Sequence, residues 1–471
     1  MLRFKSVAAL ALLLGVVACG GGKPEAKSPV NKSGKTDRSG MAVSKAAAEG
    51  FERALDAFAG HDRKGDWNDG ACTSVAQQFL DASKEQESAT NRKLPEAHYN
   101  AGLAYQRCGK DTEARKEFEA ALSVDKSFHR ARAQIALYDY DKSHDLDGTI
   151  SKLEQIIRDA KFQNVEALVG VAALQMERNN DTPDQDGKND LERAQRNLQR
   201  ALAIDDSFMP AFNQLAVYYL EQAKAKALAE EGKKKSRRRG LVAASSKGAD
   251  VNSQQLDLAA LVASQAVRKN PNYAPIHNTA GLIQVELKNF NGAVKSFATA
   301  RRLDPRFFEA HMNYAAVNLS FRGFQEAEKA YRDALKLQPN EYEAHLGLAL
   351  ALRGQIRPGD PDKLIPKVQA ELDAAKKLEP NRPETYYNEA ILTQEYKSKG
   401  SEKSAIPMLK KAADLYRQFI SKAGSDAAFA DAVKRAKERS QDIEDTVKFI
   451  EEGDQAKNAG GGAPPPAPPA K

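Results

Sequence analysis

Two consecutive 34-residue units, 274–307 and 308–341, share one pattern of small and aromatic residues, and this period constrains the fold more than any other feature. The matching positions are Ala280/Tyr314, Gly281/Ala315, Ala293/Ala327, Phe297/Tyr331, Ala300/Ala334 and Pro305/Pro339. A fixed period near 34 predicts helix–turn–helix units. Because such units cannot bury an apolar face alone, they must stack on their neighbours. We therefore expect a function exerted by a stacked scaffold rather than by a single pocket.

The same pattern recurs along most of the chain with varying regularity. Segment 95–128 keeps it closely, with Gly102 and Phe118 in place, although Lys126 stands where proline is usual. Other units are degenerate or are interrupted by polar loops. The units resemble tetratricopeptide repeats, and the resemblance implies an all-α solenoid of about eight helix pairs, some degenerate and some carrying inserted loops. The resemblance also implies that the array binds other proteins.

Composition divides the chain into five segments. Residues 1–18 are predicted to be a signal peptide, and 19–40, rich in Gly, Lys, Ser and Pro, a flexible tether. The repeats span 41–424. Residues 425–452 form a charged amphipathic helix suited to capping an open stack, which needs a polar outer face. Residues 453–471 are rich in Pro, Ala and Gly and are predicted to be disordered.

The N-terminus carries features of a bacterial lipoprotein signal. Arg3 and Lys5 precede an apolar run that is too short to span a bilayer as a helix of about 20 residues. The run ends in Val-Val-Ala-Cys, which resembles a lipobox and implies acylation of Cys19. The next residue, Gly20, is not Asp, and the same resemblance then implies retention at the outer membrane, facing the periplasm. An ordinary secretory cleavage site that includes a cysteine is the alternative.

Charge and motifs point away from catalysis and from nucleic acid. The formal charge is +7, and loss of the two basic signal residues leaves 7 − 2 = +5, a mild excess that an exported protein would not bring to nucleic acid. Neither a catalytic motif nor a metal or phosphate motif occurs. We therefore expect no enzymatic activity, no cofactor, no metal and no small-molecule substrate. The polar loop 180–192 resembles a calcium loop only in part, since Thr182 and Arg193 replace ligands.

Two cysteines remain when Cys19 is set aside. Cys72 opens a predicted second helix, and Cys108 ends the first helix of the next unit. In a stack of helix pairs these two ends lie on the same side. An even pair in an oxidising compartment is a disulfide candidate, and two separately buried thiols are the alternative.

Two surfaces are candidates for partner binding. The concave face of the array should be lined by first-helix residues that do not pack inward, unless the chain's own insertions cover them. By resemblance to tetratricopeptide repeats, this predicted groove comprises Tyr99, Asn100, Leu103, Arg107, Asn278, Leu282, Met312, Asn313, Leu346, Leu350 and Asn388. The second surface is a basic patch that could contact anionic lipid or polysaccharide, or could be a solvated loop. It comprises Lys233, Lys234, Lys235, Arg237, Arg238 and Arg239.

Together these features predict a lipid-anchored, non-enzymatic scaffold that binds proteins of the cell envelope. The whole-chain layout resembles the tetratricopeptide lipoproteins of bacterial adventurous gliding motility (the GltE type), which implies other gliding-complex components as partners. Two alternatives stay open. One is an adaptor that delivers clients to a periplasmic protease or cell-wall hydrolase, and the other is an outer-membrane or pilus-assembly lipoprotein.

Overall fold

The computed structural model describes residues 36–37, 40–183, 187–237, 250–357, 363–399 and 402–458. All regular elements in these ranges are helical, apart from one isolated bridge between Thr36 and Ala42. This confirms the predicted all-α fold. Several predictions lie outside the described residues: the signal peptide and Cys19, most of the tether, Arg238 and Arg239 of the basic patch, and residues 459–471 of the Pro/Ala tail. The side chains of the four other patch residues are not described either. Residues 453–458, which were expected to belong to that tail, are helical and extend the last helix beyond the expected end at 452.

Eighteen helices form nine antiparallel pairs in the described part of the chain, one more than the expected number of about eight. In chain order the helices are α1 (Lys45–Lys64), α2 (Asp69–Thr90), α3 (Pro95–Gln106), α4 (Asp111–Val124), α5 (His129–Ser143), α6 (Leu146–Asp159), α7 (Val165–Arg178), α8 (Asp190–Ile204), α9 (Met209–Arg237), α10 (Asp250–Lys269), α11 (Ala274–Glu286), α12 (Phe290–Leu303), α13 (Phe308–Ser320), α14 (Phe324–Leu337), α15 (Tyr342–Arg353), α16 (Ile365–Leu378), α17 (Pro383–Leu392) and α18 (Glu402–Ala423). A π-helical turn, Thr393–Lys397, follows α17, and a final helix, α19 (Ala430–Asn458), follows the last pair.

The chain divides into two compact units, Met1–Ala310 (unit 1) and His311–Lys471 (unit 2). In unit 1 successive pairs share apolar clusters, beginning with an aromatic cluster in which the Phe51 and Phe79 rings lie 5.3 Å apart. In unit 2 one cluster joins α13 to α17, and a second joins α17 to α19 through Tyr416 and Phe419. Each cluster therefore spans more than one pair, as stacking requires.

Close approach within a pair depends on glycine facing an aromatic ring. Gly281 on α11 lies against the ring of Phe297 on α12, and Gly102 on α3 lies against Phe118 on α4. A Cβ atom at either glycine would overlap the ring. Phe118 and Phe297 are both fully buried. The recurring small–aromatic pattern in the sequence is therefore the packing contact that holds the two helices of one repeat together.

Side-chain hydrogen bonds form the turns between repeats, and they explain why proline is dispensable there. Asp125 Oδ1 accepts from the backbone N–H of Ser127 at 2.9 Å, and Asp205 Oδ1 accepts from Ser207 N–H at 2.9 Å. Such Asx turns fix the chain direction locally. Lys126 can therefore occupy the usual proline position, because Asp125 supplies the turn.

The fourth position of a repeat also serves packing. His277 Nε2 donates to the carbonyl oxygen of Pro271 at 2.8 Å, and His345 Nε2 donates to that of Pro339 at 3.0 Å. Tyr386, at the same position of a later repeat, donates its hydroxyl to the Pro380 carbonyl at 2.8 Å. Each bond satisfies a carbonyl just beyond a helix end, where helical partners are missing. These residues are structural.

Candidate functional site

The predicted groove residues fall into a buried and a half-buried group. Tyr99, Asn100, Asn278 and Leu346 are 1%, 0%, 8% and 2% exposed, so they do not line an open groove. Half-buried groove residues are Leu103, Arg107, Leu282, Met312, Asn313, Leu350 and Asn388. These four residues therefore do not line a groove, and the groove stays a prediction at the seven half-buried positions.

In unit 1 the chain's own polar side chains contact one of the predicted groove residues, Tyr99. The Tyr99 hydroxyl donates to Glu166 Oε1 at 3.2 Å, and Arg130 Nε donates to the same oxygen at 2.9 Å. The Arg130 guanidinium also lies over the Tyr99 ring, 5.1 Å from its centre. Burial raises the pKa of the Tyr99 phenol, so the hydroxyl remains protonated and donates. Three first helices, α3, α5 and α7, are thereby joined across the face expected to bind a partner.

Arg107 has a structural role rather than a ligand-binding one. Its Nε and Nη2 atoms bind the two carboxylate oxygens of Asp62 at 3.0 and 3.2 Å, and its guanidinium lies over the Phe58 ring. Trp67 Nε1 donates to Asp62 at 2.8 Å. This two-point ion pair packs against the Phe58 ring and connects the first helix pair to the second.

A further set of contacts, here called the closing contact, joins the beginning of unit 1 to its end. Asn272 Nδ2, between α10 and α11, donates to the Arg63 carbonyl at 2.5 Å. Arg306, after α12, donates to the carbonyl oxygens of Arg107, at 2.8 Å, and Cys108. These partners are about two hundred positions apart in the sequence, and no local pattern indicates that they meet.

The disulfide of Cys72 and Cys108 lies beside the closing contact. The two Cα atoms are 6.3 Å apart, and the bond links α2 to the turn after α3. Both residues are buried. The bond restrains the same Cys108 carbonyl that accepts from Arg306, so it supports both the stacking of two repeats and the closing contact.

Among the described residues, no group of three or more His, Cys, Asp or Glu side chains is arranged so that it could hold a metal ion. Asp184 and Asp186 of the calcium-like loop lie outside the described residues. In the described part of that loop, the Arg193 guanidinium donates to the Thr182 carbonyl at 3.1 Å and to the buried Asp190 carboxylate at 2.7 Å. A fixed positive charge at this point disfavours a cation nearby.

Unit 2 contains a contact between two repeats that the sequence pattern did not indicate. Arg353, at the end of α15, donates Nη1 to the side-chain oxygen of Asn388 at 3.0 Å. Leu350 lies one turn earlier on the same helix and is half-buried. The one available signal was a basic residue that ends the otherwise apolar stretch LGLALALR. This signal is not distinctive, because the helix dipole favours a basic residue at the C-terminus of any helix.

Glu309, at the start of α13, is expected to make the stability of unit 1 depend on pH. Burial, with a smaller effect of Asp304, raises the pKa of its carboxyl from 4.5 to about 7. The folded state therefore binds a proton that the unfolded chain releases above pH 4.5. Its contribution to stability is fully present below pH 4.5 and is lost as the pH rises through about 7.

We expect Glu309→Gln to remove this dependence, because an amide does not ionise. Relative to the unmodified chain, the variant should gain about 1–3 kcal/mol of unfolding free energy between pH 5 and 8. Urea titrations over this range measure the difference, and Glu52→Gln, at an exposed position on α1, is the control. A difference that stays constant with pH would contradict the assignment.

The comparisons with known proteins identify one repeat and the type of fold. Residues 95–128 match the tetratricopeptide repeat family model. No curated protein matches the chain. A thermophilic TPR protein of Thermus thermophilus is 20% identical, covering 48% of this chain and 99% of its own at a TM-score of 0.38. PilF of Pseudomonas aeruginosa is 16% identical, with 54% and 92% covered and a TM-score of 0.37. A tetratricopeptide repeat protein from Parabacteroides merdae ATCC 43184 is 14% identical, with 67% and 99% covered and a TM-score of 0.36.

The matched repeat and the nine helix pairs show that the chain has a tetratricopeptide-repeat fold. Such a fold is a protein-interaction scaffold and is typically non-catalytic. At these TM-scores, the similarities give no information about the partners or the location of this protein. Among the described residues, no helix has the length and apolar character needed to cross a bilayer.

Proposed function

We propose that this protein is a lipid-anchored scaffold of the bacterial cell envelope that binds protein partners through its tetratricopeptide array. The observation that carries the proposal is the order of segments: an apolar N-terminal run ending at Cys19, a polar stretch, and then the repeats. That order suits a protein held at a membrane by acyl chains, each contributing about 0.8 kcal/mol per buried CH₂. The array is then free to bind on the periplasmic side.

The disulfide supports an exported location. Disulfides persist in the periplasm and outside the cell, whereas reducing systems remove them in the cytosol. The bonded pair of Cys72 and Cys108 therefore fits the compartment that the N-terminus implies. This support is independent of the lipobox, because it comes from the folded array.

The whole-chain layout favours one setting for the scaffold, the gliding-motility complex of the outer membrane. A long array interrupted by charged loops, together with a Pro/Ala tail, is the feature that resembles the lipoproteins of that complex. An adaptor role, with delivery of clients to a periplasmic protease or cell-wall hydrolase, is the second candidate. An assembly lipoprotein of the outer membrane or pilus is the third.

We expect Cys19→Ala to release the protein from the membrane fraction, because the thiol that carries the lipid is lost. Membrane flotation of the variant and of the unmodified chain, both produced in the native bacterium, measures this. Flotation of the variant with outer membranes would contradict lipid anchoring. A Ser28→Ala chain, altered only in the polar stretch, is the matched control and should float.

Partner recovery then separates the candidate roles. Crosslinking followed by purification of the lipidated chain should recover envelope proteins in fixed stoichiometry, and deletion of its gene should abolish gliding. Recovery of a protease or cell-wall hydrolase together with varied clients would instead favour the adaptor. Normal gliding after deletion would exclude the gliding assignment while leaving the scaffold role open.

A further inference from the structure

Three lysines of unit 2 converge beside the buried carboxylate of Glu389. Lys376 lies on α16 and Lys411 on α18, the second helices of the last two pairs, and Lys397 ends the π-helical turn that follows α17. Glu389 lies on α17 and is 4% exposed. Its carboxylate bonds to the ammonium group of Lys376 and lies 3.9 Å from that of Lys411. Two cations therefore share this one carboxylate.

The third lysine, Lys397, has a neutral partner instead of a carboxylate. Its ammonium group donates to Gln369 Oε1 on α16. Gln369 Nε2 donates to Asp373 Oδ1 at 2.8 Å and to Glu389 Oε1 at 3.3 Å, which directs the amide oxygen of Gln369 towards Lys397. Lys397 forms no ion pair with the described residues. Because an ammonium group has three donors, two of its N–H groups remain for a ligand.

The neighbouring positive charges oppose the charge of Lys397. Burial lowers the pKa of its ammonium group, the charge of Lys411 is the next largest cause, and Lys376 acts in the same direction. Glu389 and Asp373 raise this pKa without offsetting the shift. Three ammonium groups against two carboxylates leave one excess positive charge in a partly desolvated place. An anion between Lys397 and Lys411 would replace their repulsion by attraction.

Lys397 and Lys411 are accessible to a ligand. Lys411 is exposed, and its Nζ atom lies beyond hydrogen-bond distance of Glu389, so it can bind an anion without losing a hydrogen bond there. Lys397 is half-buried, and Gln369 holds it in place. It ends the π-helical turn Thr393–Lys397, a rare type of turn that often occurs at functional sites. Glu389 opposes an anion only weakly, because its oxygens are already bound by Lys376 and Gln369.

The positive surface continues along the same two helices. The Nζ atoms of Lys376 and Lys422 lie 4.7 and 4.9 Å from the centre of the Tyr386 ring. Lys422 is exposed on α18, and its Nζ atom lies 3.4 Å from the side-chain oxygen of Asn381, which is again a neutral partner. Such a row of lysines attracts anions to the site from solution.

We propose that Lys397 and Lys411, with Lys376 beside them, bind a phosphate group. The three ammonium groups approach from α16, α18 and the π-helical turn, and a tetrahedral phosphate has oxygens in several directions to accept from them. A planar carboxylate is matched better by the fork of an arginine. The phosphate belongs either to a lipid headgroup or to a soluble phosphate. This site lies apart from the predicted groove residues and rests on neither the lipid anchor nor the binding of protein partners.

Two probes test the site on the full chain carrying Cys19→Ala, which has no lipid attached. Isothermal titration calorimetry measures binding of inorganic phosphate. Co-sedimentation measures binding to vesicles of equal parts phosphatidylglycerol and phosphatidylethanolamine. We expect binding that depends on Lys397 and Lys411 with at least one probe. Such binding to the vesicles identifies a lipid headgroup as the source of the phosphate, and such binding to inorganic phosphate alone identifies a soluble phosphate.

Variants of the two lysines decide the result, all in the same Cys19→Ala chain. Lys397→Gln and Lys411→Gln should each weaken binding about tenfold or more, because a charge-assisted hydrogen bond is lost. Lys411→Arg keeps the charge and should retain most of the binding. Lys410→Gln is the matched control: it removes the same charge from the adjacent position, but Lys410 is paired with Glu451 at 2.8 Å, so this variant should bind normally. Thermal unfolding followed by circular dichroism confirms that each variant is folded.

Three results would overturn the inference: no binding of either probe, undiminished binding by a folded Lys411→Gln chain, or equal weakening by Lys410→Gln and Lys411→Gln. The last result would show a general effect of charge rather than a site. None of them bears on the envelope scaffold itself, which partner recovery from the native membrane tests separately.

Discussion

Phe297→Ala is expected to lower the unfolding free energy of unit 1 by about 3–5 kcal/mol. The ring is fully buried and lies directly against Gly281, so its removal leaves a cavity between α11 and α12 that no side chain of Gly281 can fill. Urea unfolding followed by far-UV circular dichroism measures the loss. Phe297→Leu should cost less, because the branched side chain occupies part of the cavity.

The single tryptophan makes the same experiment informative about the closing contact. Trp67 lies between α1 and α2, far from Phe297 in sequence. In a repeat array, each repeat is stabilised mainly by its contacts with the neighbouring repeats. The hydrogen bond from Asn272 to the Arg63 carbonyl adds a direct contact between the turn before the sixth pair and the end of α1 in the first pair. We therefore expect Trp67 fluorescence to report the Phe297→Ala destabilisation at the same urea concentration as circular dichroism.

The control for this result is Lys295→Ala, an exposed change on the same helix, which should alter stability by no more than about 0.5 kcal/mol. An unchanged Trp67 transition in Phe297→Ala, alongside an earlier loss of helix, would show that the closing contact does not couple the two ends of unit 1.

The repeats were predictable from the sequence because their determinants are local. Gly102 and Phe118, like Gly281 and Phe297, recur at a fixed spacing, and that spacing is set by one helix pair. The first pair was also recognisable, although its glycine pattern is degraded, because Phe51 and Phe58 lie on the same face of α1. Helix existence therefore follows from periodicity and short-range contacts alone.

The groove was less predictable because its openness depends on long-range geometry. Tyr99 occupies a position that would face a partner in an open array, yet Arg130 and Glu166 reach it from the next two repeats. Whether such side chains meet depends on how tightly successive pairs stack, which no single repeat encodes. The sequence identifies which face a residue lies on, but the curvature of the stack decides whether that face is accessible.

Arg107 and Arg353 both show that a local sequence pattern does not reveal which groups an arginine contacts. Arg107 was assigned to the groove, but it is paired with Asp62, which precedes it by 45 positions. Arg353 was overlooked, but it lacks a carboxylate partner among the described residues. The counter-ion of Arg107 comes from another helix, so the sequence around Arg107 does not reveal it.

Loss of the Cys72–Cys108 bond is expected to destabilise unit 1 by about 3–4 kcal/mol, because the bond closes a long loop in the unfolded chain. Urea unfolding with and without dithiothreitol measures this, with Trp67 fluorescence as the probe. The double variant Cys72→Ser with Cys108→Ser should show the reduced stability in both conditions. Reductant should have no effect on that variant, which makes it the matched control.

The same bond should also govern the closing contact, and hydrogen exchange separates this effect from general destabilisation. Reduction frees the turn whose Arg107 and Cys108 carbonyls accept from Arg306. We expect amide exchange of Arg306 and its neighbours to accelerate under conditions where α5–α8 remain protected. Arg306→Ala should accelerate exchange in the same segments with the disulfide intact. If reduction leaves exchange near Arg306 unchanged, the disulfide stabilises only the second and first repeats and has no part in joining the two ends of unit 1.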